Sequence, residues 1–188
     1  THDIGKGTKY FQEYLYKKES KETNFQLLKS HSFVSSLYCS WIIENSNITK
    51  KVKDFLQIAA VLTIQGHHGS LKQPSEFAIR LNNFRKKEIF KRQIDSFAVD
   101  ELEQISKSLK LPSFKEFVKN WETAYDNLIH KILQTDNFLN EFTVENEPYF
   151  VINLLFSVLL DADRMNAAGI QTERTEIDTD AVVKFTST

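Results

Sequence analysis

Histidine is scarce in this sequence of 188 residues, and the first histidine stands beside a carboxylate in the pair His2-Asp3. A carboxylate is an oxygen ligand that can bridge two metal ions, and imidazole suits first-row transition metals. On a helix, Lys6 would lie on the same face as this pair, because residues three or four positions apart are neighbours. A lysine there can meet a phosphate oxygen as a point charge. The opening of the chain therefore predicts a metal ligand pair beside a phosphate contact.

A second histidine pair, His67-His68, lies between Gly66 and Gly69. The glycines allow the backbone to turn freely and approach closely. Two imidazoles at a helix end can enter one cavity. His31 stands at the N-terminal end of another predicted helix. It is a further candidate ligand.

Two aspartates, Asp161 and Asp163, interrupt an apolar stretch late in the chain. A carboxylate among leucines is costly to bury unless a cation or a hydrogen-bond donor compensates it. Each of these features has an ordinary structural explanation when taken alone, such as a surface histidine pair or a solvated aspartate. The fifth histidine, His130, is predicted to be a surface or boundary residue.

Helices must position these groups. Five glycines and three prolines are few for a strand-rich fold. Apolar residues recur at helical spacing, which indicates amphipathic helices. The predicted helices cover residues 11–15, 32–44, 52–66, 99–109, 113–133 and 148–168. The apolar faces include Phe11-Tyr14-Leu15 in the first and Val99-Leu102-Ile105-Leu109 in the fourth.

Local signals mark the ends of two of these helices. Ser113 and Glu116 form the pattern of a capping box, and Gly169 is placed to end the last helix. The apolar run at 151–160 is too short to span a bilayer. It predicts a core helix, and no membrane partner is expected.

Composition is that of a folded globular protein, with 41% hydrophobic and 26% charged residues. The formal net charge of −1 argues against tight DNA binding by bulk charge. A single cysteine, Cys39, excludes an internal disulfide and is compatible with the cytoplasm.

A basic cluster lies in a stretch, 71–92, that is predicted to be a loop with a short helix. Either the cluster tracks a nucleic-acid backbone or it is a solvated helix face, and the sequence supports both interpretations equally. Its members are Arg80, Arg85, Lys86, Lys87, Lys91 and Arg92.

Together the motifs resemble those of CRISPR-associated HD nucleases, the nuclease domains of type I nuclease–helicases. The similar stretches, in the family's order, are His2-Asp3-Ile4-Gly5-Lys6 with Tyr10-Phe11-Gln12, Ser30-His31-Ser32 with Ser35, Gln65-Gly66-His67-His68-Gly69, and Ser157 to Arg164. They span nearly the whole chain. The resemblance implies an all-α HD-domain helical bundle with a metal centre between helices. The nuclease domain is expected at 1–170. The composition changes after it, and the segment at 171–188, rich in threonine and acidic residues, is predicted to be an extended tail or linker toward a helicase domain.

The resemblance also implies roles for individual residues. Asp3 would bridge two metals and act with Lys6 in catalysis, with His2 and Asp163 on the first metal. His31, His67 and His68 would hold the second. Asp163 matches the family's pattern better than Asp161. Ser70 and Arg164 are weaker candidates for phosphate contacts, since Arg164 is better explained by a salt bridge to Asp161 or a neighbouring helix.

The implied activity is endo- or exonucleolytic cleavage of single-stranded DNA in CRISPR interference, with one or two divalent ions such as manganese, magnesium, nickel, cobalt or iron. The implied partners are a superfamily 2 helicase, in cis or in trans, and an RNA-guided surveillance complex. The family has a further histidine upstream of the HD pair, and this chain has no counterpart to it. We therefore expect part of the domain to precede Thr1, or the first metal to bind weakly.

Two alternatives stay open. The first is an HD phosphohydrolase that acts on nucleotides or cyclic dinucleotides. The second is a non-catalytic docking module with an incomplete metal site.

Overall fold

The computed structural model describes residues 2–16, 24–74, 76, 84–134 and 147–169. A short 3-10 helix, Ile4–Gly7, opens the chain. The α-helices that follow are α1 (Lys9–Leu15), α2 (Phe25–Leu28), α3 (Ser32–Glu44), α4 (Lys50–Gly66), α5 (Phe84–Asp95), α6 (Val99–Ser108), α7 (Phe114–Leu133) and α8 (Glu147–Ala167). Within these ranges there is no β-strand, only an isolated antiparallel bridge between Thr8 and Phe97. The predicted all-α class is confirmed.

Helix α3 lies at the centre of the bundle. Six consecutive residues, Phe33 to Tyr38, are buried, as expected for a helix that is covered on every side. Two of them are serines, and each satisfies its hydroxyl by donating to a backbone carbonyl of the preceding turn: Ser35 to His31 and Ser36 to Phe33. A central α3 can therefore carry small polar residues without leaving unpaired hydroxyl groups.

The main core joins α3 to α5 and α7 through aromatic rings. Phe33 lies 4.0 Å from Phe90 between ring centroids, and Tyr38 lies 5.1 Å from Phe114. Helix α4 packs along α3, and α8 packs along α4. Helix α4 thus contacts both of the other α-helices that carry candidate ligands, α3 and α8.

Both predicted helix ends are present, one of them in part. Gly169 has φ +68°, the left-handed conformation that ends a helix. The Ser113 hydroxyl accepts from the backbone N–H of Glu116 at 3.3 Å, which confirms the N-cap. The reciprocal half of the capping box is replaced by Glu103, whose carboxylate accepts from the Ser113 hydroxyl and from the N–H of Lys115.

Two predicted apolar faces are only partly buried, and a third prediction was wrong. In α1 the buried residue is Tyr10, whereas Tyr14 and Leu15 are exposed, because only one side of this short helix faces the bundle. In α6 the residues Val99 and Leu102 pack against the main core as predicted, whereas Ile105 and the C-cap residue Leu109 are exposed. The buried positions of α6 are Glu103 and Ser106.

The third correction concerns α8, which was predicted to be a core helix. It is a peripheral helix that uses one face to pack on α4. Several of its apolar side chains are exposed because no described element covers the other face: Tyr149, Phe150, Leu154 and Val158. Among the described helices, none is long and apolar enough to cross a membrane.

The basic region also differs from the prediction, since residues 84–95 form a full helix of 12 residues. Lys87 on this helix is paired with Asp126 at 3.0 Å, which favours the interpretation as a helix face. Arg80 and the tail at 171–188 lie outside the described residues, and the side chain of Arg85 is not described either.

Candidate metal centre

Four separate segments bring the six predicted ligands together. His2 and Asp3 precede the 3-10 helix, His31 is the N-cap of α3, and His67 is the C-cap of α4 with His68 next to it. Asp163 comes from the last turns of α8. Each segment contributes at a helix end or edge, so short side chains can reach a common space between helices.

The ligands form two groups whose candidate atoms lie within 4.8 Å of one another. One group contains His31, His67 and His68, and the other contains His2, Asp3 and Asp163. In the first group the Nε2 atoms of His31 and His68 are 3.0 Å apart. Two imidazoles that share one ion at about 2.1 Å each have a similar N···N separation.

Asp3 lies between the two groups. Its Oδ2 is 3.3 Å from Nε2 of His2, and its Oδ1 is 3.4 Å from Nε2 of His31. His2 is in turn 3.8 Å from Oδ1 of Asp163. One carboxylate therefore presents a separate oxygen to each group, which is the arrangement that a bridging ligand needs.

Polar atoms at the centre lack hydrogen-bond partners within the part of the chain that the structure describes. They are Nε2 of His2, Oδ1 of Asp3 and Nε2 of His67. Buried polar atoms without partners are uncommon and require an explanation such as a bound ion. Three such atoms, all on predicted ligands, fit a group that would bind a divalent cation.

The backbone fixes which nitrogen His67 offers. Its Nδ1 lies 2.5 Å from the carbonyl oxygen of Ile64, and a carbonyl can only accept. Nδ1 therefore carries the proton and Nε2 is left with a lone pair directed away from that carbonyl. A hydrogen bond from the other ring nitrogen to a backbone carbonyl sets the tautomer of a metal-binding histidine in this way.

Electrostatics favour the neutral form of His31 and His68 and the charged form of Asp3. Burial, opposed by the attraction of Asp3, lowers the pKa of His31 to about 4. Burial and the neighbouring His67 also lower the pKa of His68. For Asp3, burial opposes ionisation, but the hydrogen bond from Lys6 and the nearby His2 hold its pKa below the usual value. Metal binding requires these protonation states.

Lys6 lies at the centre as predicted, and its contact there is with Asp3. Its Nζ donates to Oδ2 of Asp3 at 2.7 Å. The Lys6 carbonyl accepts from Nε2 of Gln12 at 2.7 Å, so the turn that carries the HD pair is tied to α1. The Lys6 ammonium group therefore places a positive charge beside the Asp3 carboxylate.

Gly5 allows the HD turn to reach α3. Its N–H donates to the Ser35 hydroxyl at 2.9 Å, and that hydroxyl donates to the His31 carbonyl. A Cβ at this position would meet the His31 carbonyl and would lie 2.6 Å from Cγ1 of Val34. The close approach brings Asp3 within reach of His31.

The remaining predicted site residues lie at the margin or outside the centre. Ser70 is exposed in the segment after the double histidine, and His130 is exposed on α7, as predicted. Asp161 is exposed and belongs to neither ligand group. Arg164 is exposed, and within the described residues no ion pair joins it to Asp161, the first of its two predicted partners.

Two supporting residues were not predicted from the sequence. The Phe11 ring packs edge-on against His31, with centroids 4.9 Å apart. Gln93 is buried on α5 and donates to the carbonyls of Leu28 and Ser30, which fixes the segment that leads into His31. No local pattern marks Gln93 as buried, because it lies in a polar, basic stretch.

No family model, curated protein or solved structure matches this chain. Over the residues that the structure describes, the protein is all-α, with a histidine- and aspartate-lined centre between helices.

Proposed function

We propose that this protein is a metal-dependent phosphodiesterase that cleaves single-stranded DNA. The observation that carries the proposal is the position of Asp3, with one carboxylate oxygen toward each of two ligand groups. The unpartnered ligand atoms support cation binding at the same place. The resemblance of the motifs to HD nucleases supports DNA as the substrate.

The donor set suits two divalent ions. His31, His67 and His68 would hold one ion, and His2 with Asp163 the other, with Asp3 shared. Imidazole suits ions such as iron and nickel, and carboxylate suits manganese and magnesium, so a mixed histidine and aspartate set can accept manganese, iron, cobalt or nickel. Bound there, such ions would supply hydroxide at neutral pH and neutralise charge on the phosphodiester.

The residues of the chain would position these components. Asp3, held by Gly5 and Lys6, keeps the two groups at a fixed separation. His31 and His68, in their neutral form, leave their lone pairs available, and Lys6 would contact a phosphate oxygen. Hydrolysis consumes one water and breaks one P–O ester bond, which leaves a phosphate monoester on one product and a hydroxyl on the other.

The near-neutral net charge fits a domain that receives its strand from a partner. We propose a superfamily 2 helicase, in cis or in trans, as that partner, with recruitment by an RNA-guided complex in the cytoplasm. Both follow from the resemblance. Co-purification of such a helicase with the chain would test them.

Two aspartates on α8 provide a matched test of the metal centre. Asp163 belongs to a ligand group, whereas Asp161, two residues earlier, is exposed outside it. We expect Asp163→Asn to weaken Mn²⁺ binding, measured by calorimetry, by about tenfold or more and to abolish DNA cleavage, because removal of even an outer-shell partner costs 10–100-fold. Asp161→Asn should behave as the wild type.

The substrate class is tested with the metal-loaded wild type on single-stranded DNA, mononucleotides and cyclic dinucleotides. Cleavage of DNA supports the proposal. Cleavage of the small substrates alone would replace it with a nucleotide phosphohydrolase. No metal binding and no cleavage would leave a docking module.

A further inference from the structure

An aliphatic groove shares two lining residues, His2 and Asp3, with the candidate metal centre. Its aliphatic lining residues are Leu102, Ile105, Leu109 and Leu111. The cavity volume is about 280 Å³. The groove therefore adjoins the place where a scissile phosphate would lie under the proposed function.

The exposure of the groove residues is unusual for their type. Ile105 is 50% and Leu109 61% exposed, although both lie on the apolar face that the sequence predicts to be buried. Helix α6 instead buries Ser106, whose hydroxyl is hydrogen-bonded to the Tyr38 hydroxyl at 2.8 Å. The side chains of Ile105 on α6 and of its C-cap residue Leu109 therefore line the groove and do not enter the core.

We propose that this groove binds the base of the nucleotide next to the scissile phosphate in single-stranded DNA. This inference rests on the proposed function. Since His2 and Asp3 line both the groove and the centre, the nucleoside attached to a phosphate at the centre would lie beside the groove that contains Ile105 and Leu109.

The chemistry of the walls selects an unpaired base without reading its identity. Apolar side chains contact the face of any base, whereas sequence recognition needs hydrogen bonds to base edges. The hydroxyls of Tyr38 and Ser106 also line the groove, and they are hydrogen-bonded to each other. A base in a duplex would have to unpair and unstack before it entered, which costs a few kcal/mol. The groove therefore explains a preference for single strands.

Thiol protection tests occupancy of the groove independently of catalysis. Leu109→Cys is made in a Cys39→Ser background, since Cys39 is the only cysteine in the chain. Saturating oligothymidylate with Mn²⁺ should slow alkylation of the new thiol by about tenfold or more. An abasic oligonucleotide of equal length and charge should protect much less. Leu133→Cys, at a residue 55% exposed on α7, is the matched control and should react equally with or without DNA.

Cleavage kinetics provide the second measurement. Ile105→Asn and Leu109→Asn should each raise KM for the oligonucleotide by about tenfold, because each removes apolar contact with the base. The same variants should leave KM for the abasic substrate and the affinity for Mn²⁺ unchanged. Leu133→Asn should change none of these values.

The outcomes separate the two proposals. If wild-type protein binds Mn²⁺ but cuts no DNA, the proposed function fails. If it cuts DNA while the thiol stays fully reactive, or while both oligonucleotides protect it equally, the nuclease stands and the groove does not hold a base. A thiol at 109 that is unreactive even without DNA would mean that protein covers the groove, which also overturns the inference.

Discussion

Replacement of Gly5 by alanine should separate the two halves of the candidate centre. The added Cβ would meet the backbone carbonyl of His31 and would lie 2.6 Å from Cγ1 of Val34. Val34 is fully buried, so its side chain has no free space into which it can move. The strain must therefore be relieved by moving the HD turn away from α3.

The size of this movement follows from the contact distances. Ordinary contact begins at 3.4 Å, so relief of the Val34 contact alone requires a shift of about 0.8 Å. The hydrogen bond from Gly5 to Ser35, now 2.9 Å, would lengthen by a similar amount. Metal–ligand distances tolerate only about 0.2 Å. Asp3 would then no longer serve both groups, and overpacking of this kind costs about 1–3 kcal/mol of stability.

Gly7 provides the control on the same 3-10 helix. A Cβ there would meet nothing closer than 3.7 Å, so Gly7→Ala should preserve both stability and metal affinity. For Gly5→Ala we expect a lower free energy of unfolding in urea and Mn²⁺ affinity reduced by about tenfold or more in calorimetry. Unchanged Mn²⁺ affinity in a folded Gly5→Ala protein would refute the bridging role of Asp3.

Three further predictions concern stability and are measured by urea unfolding. Because the folded-state pKa of His31 is lowered to about 4, its neutral form stabilises the metal-free protein fully above pH 6.5, and this contribution is lost as the pH falls from 6.5 toward 4; a His31→Gln variant with the same pH profile as wild type would contradict this. Ser113→Ala removes the N-cap of α7 and should cost about 1 kcal/mol, and an unchanged midpoint would exclude the cap as a stabilising contact. Gln93→Leu should cost about 2 kcal/mol or more, since the carbonyls of Leu28 and Ser30 lose a donor; Gln104→Leu, at an exposed position on α6, should have little effect.

Much of the fold was predictable where the sequence signal is local. The capping serine at 113 and the terminal glycine at 169 act within a few residues of themselves, so their roles could be inferred directly. The phase of an apolar stripe is different, because it depends on which neighbour covers the helix. Ile105 and Val158 have the expected spacing and are nevertheless exposed.

The candidate centre shows the same division. The types of ligand and their positions beside glycines or at helix ends were visible in the sequence. The choice of Asp163 over Asp161 came from the resemblance, and the structure brings Asp163 alone into a ligand group. The supporting roles of Phe11 and Gln93 could not be predicted. Phe11 acts through a ring contact with His31, and Gln93 acts through hydrogen bonds to backbone carbonyls more than 60 residues away in the sequence.

The sequence by itself determined the helical class, the helix ends and the chemical types of the ligands, since composition, periodicity and capping are local properties. The tertiary structure decided that Asp3 lies between His2 and His31, and that Gly5 permits the close approach of the HD turn to α3. It also decided that aliphatic side chains line the groove beside the centre. These features depend on how α3, α4, α6 and α8 pack against one another. Distances between residues far apart in the chain are fixed only when that packing is complete.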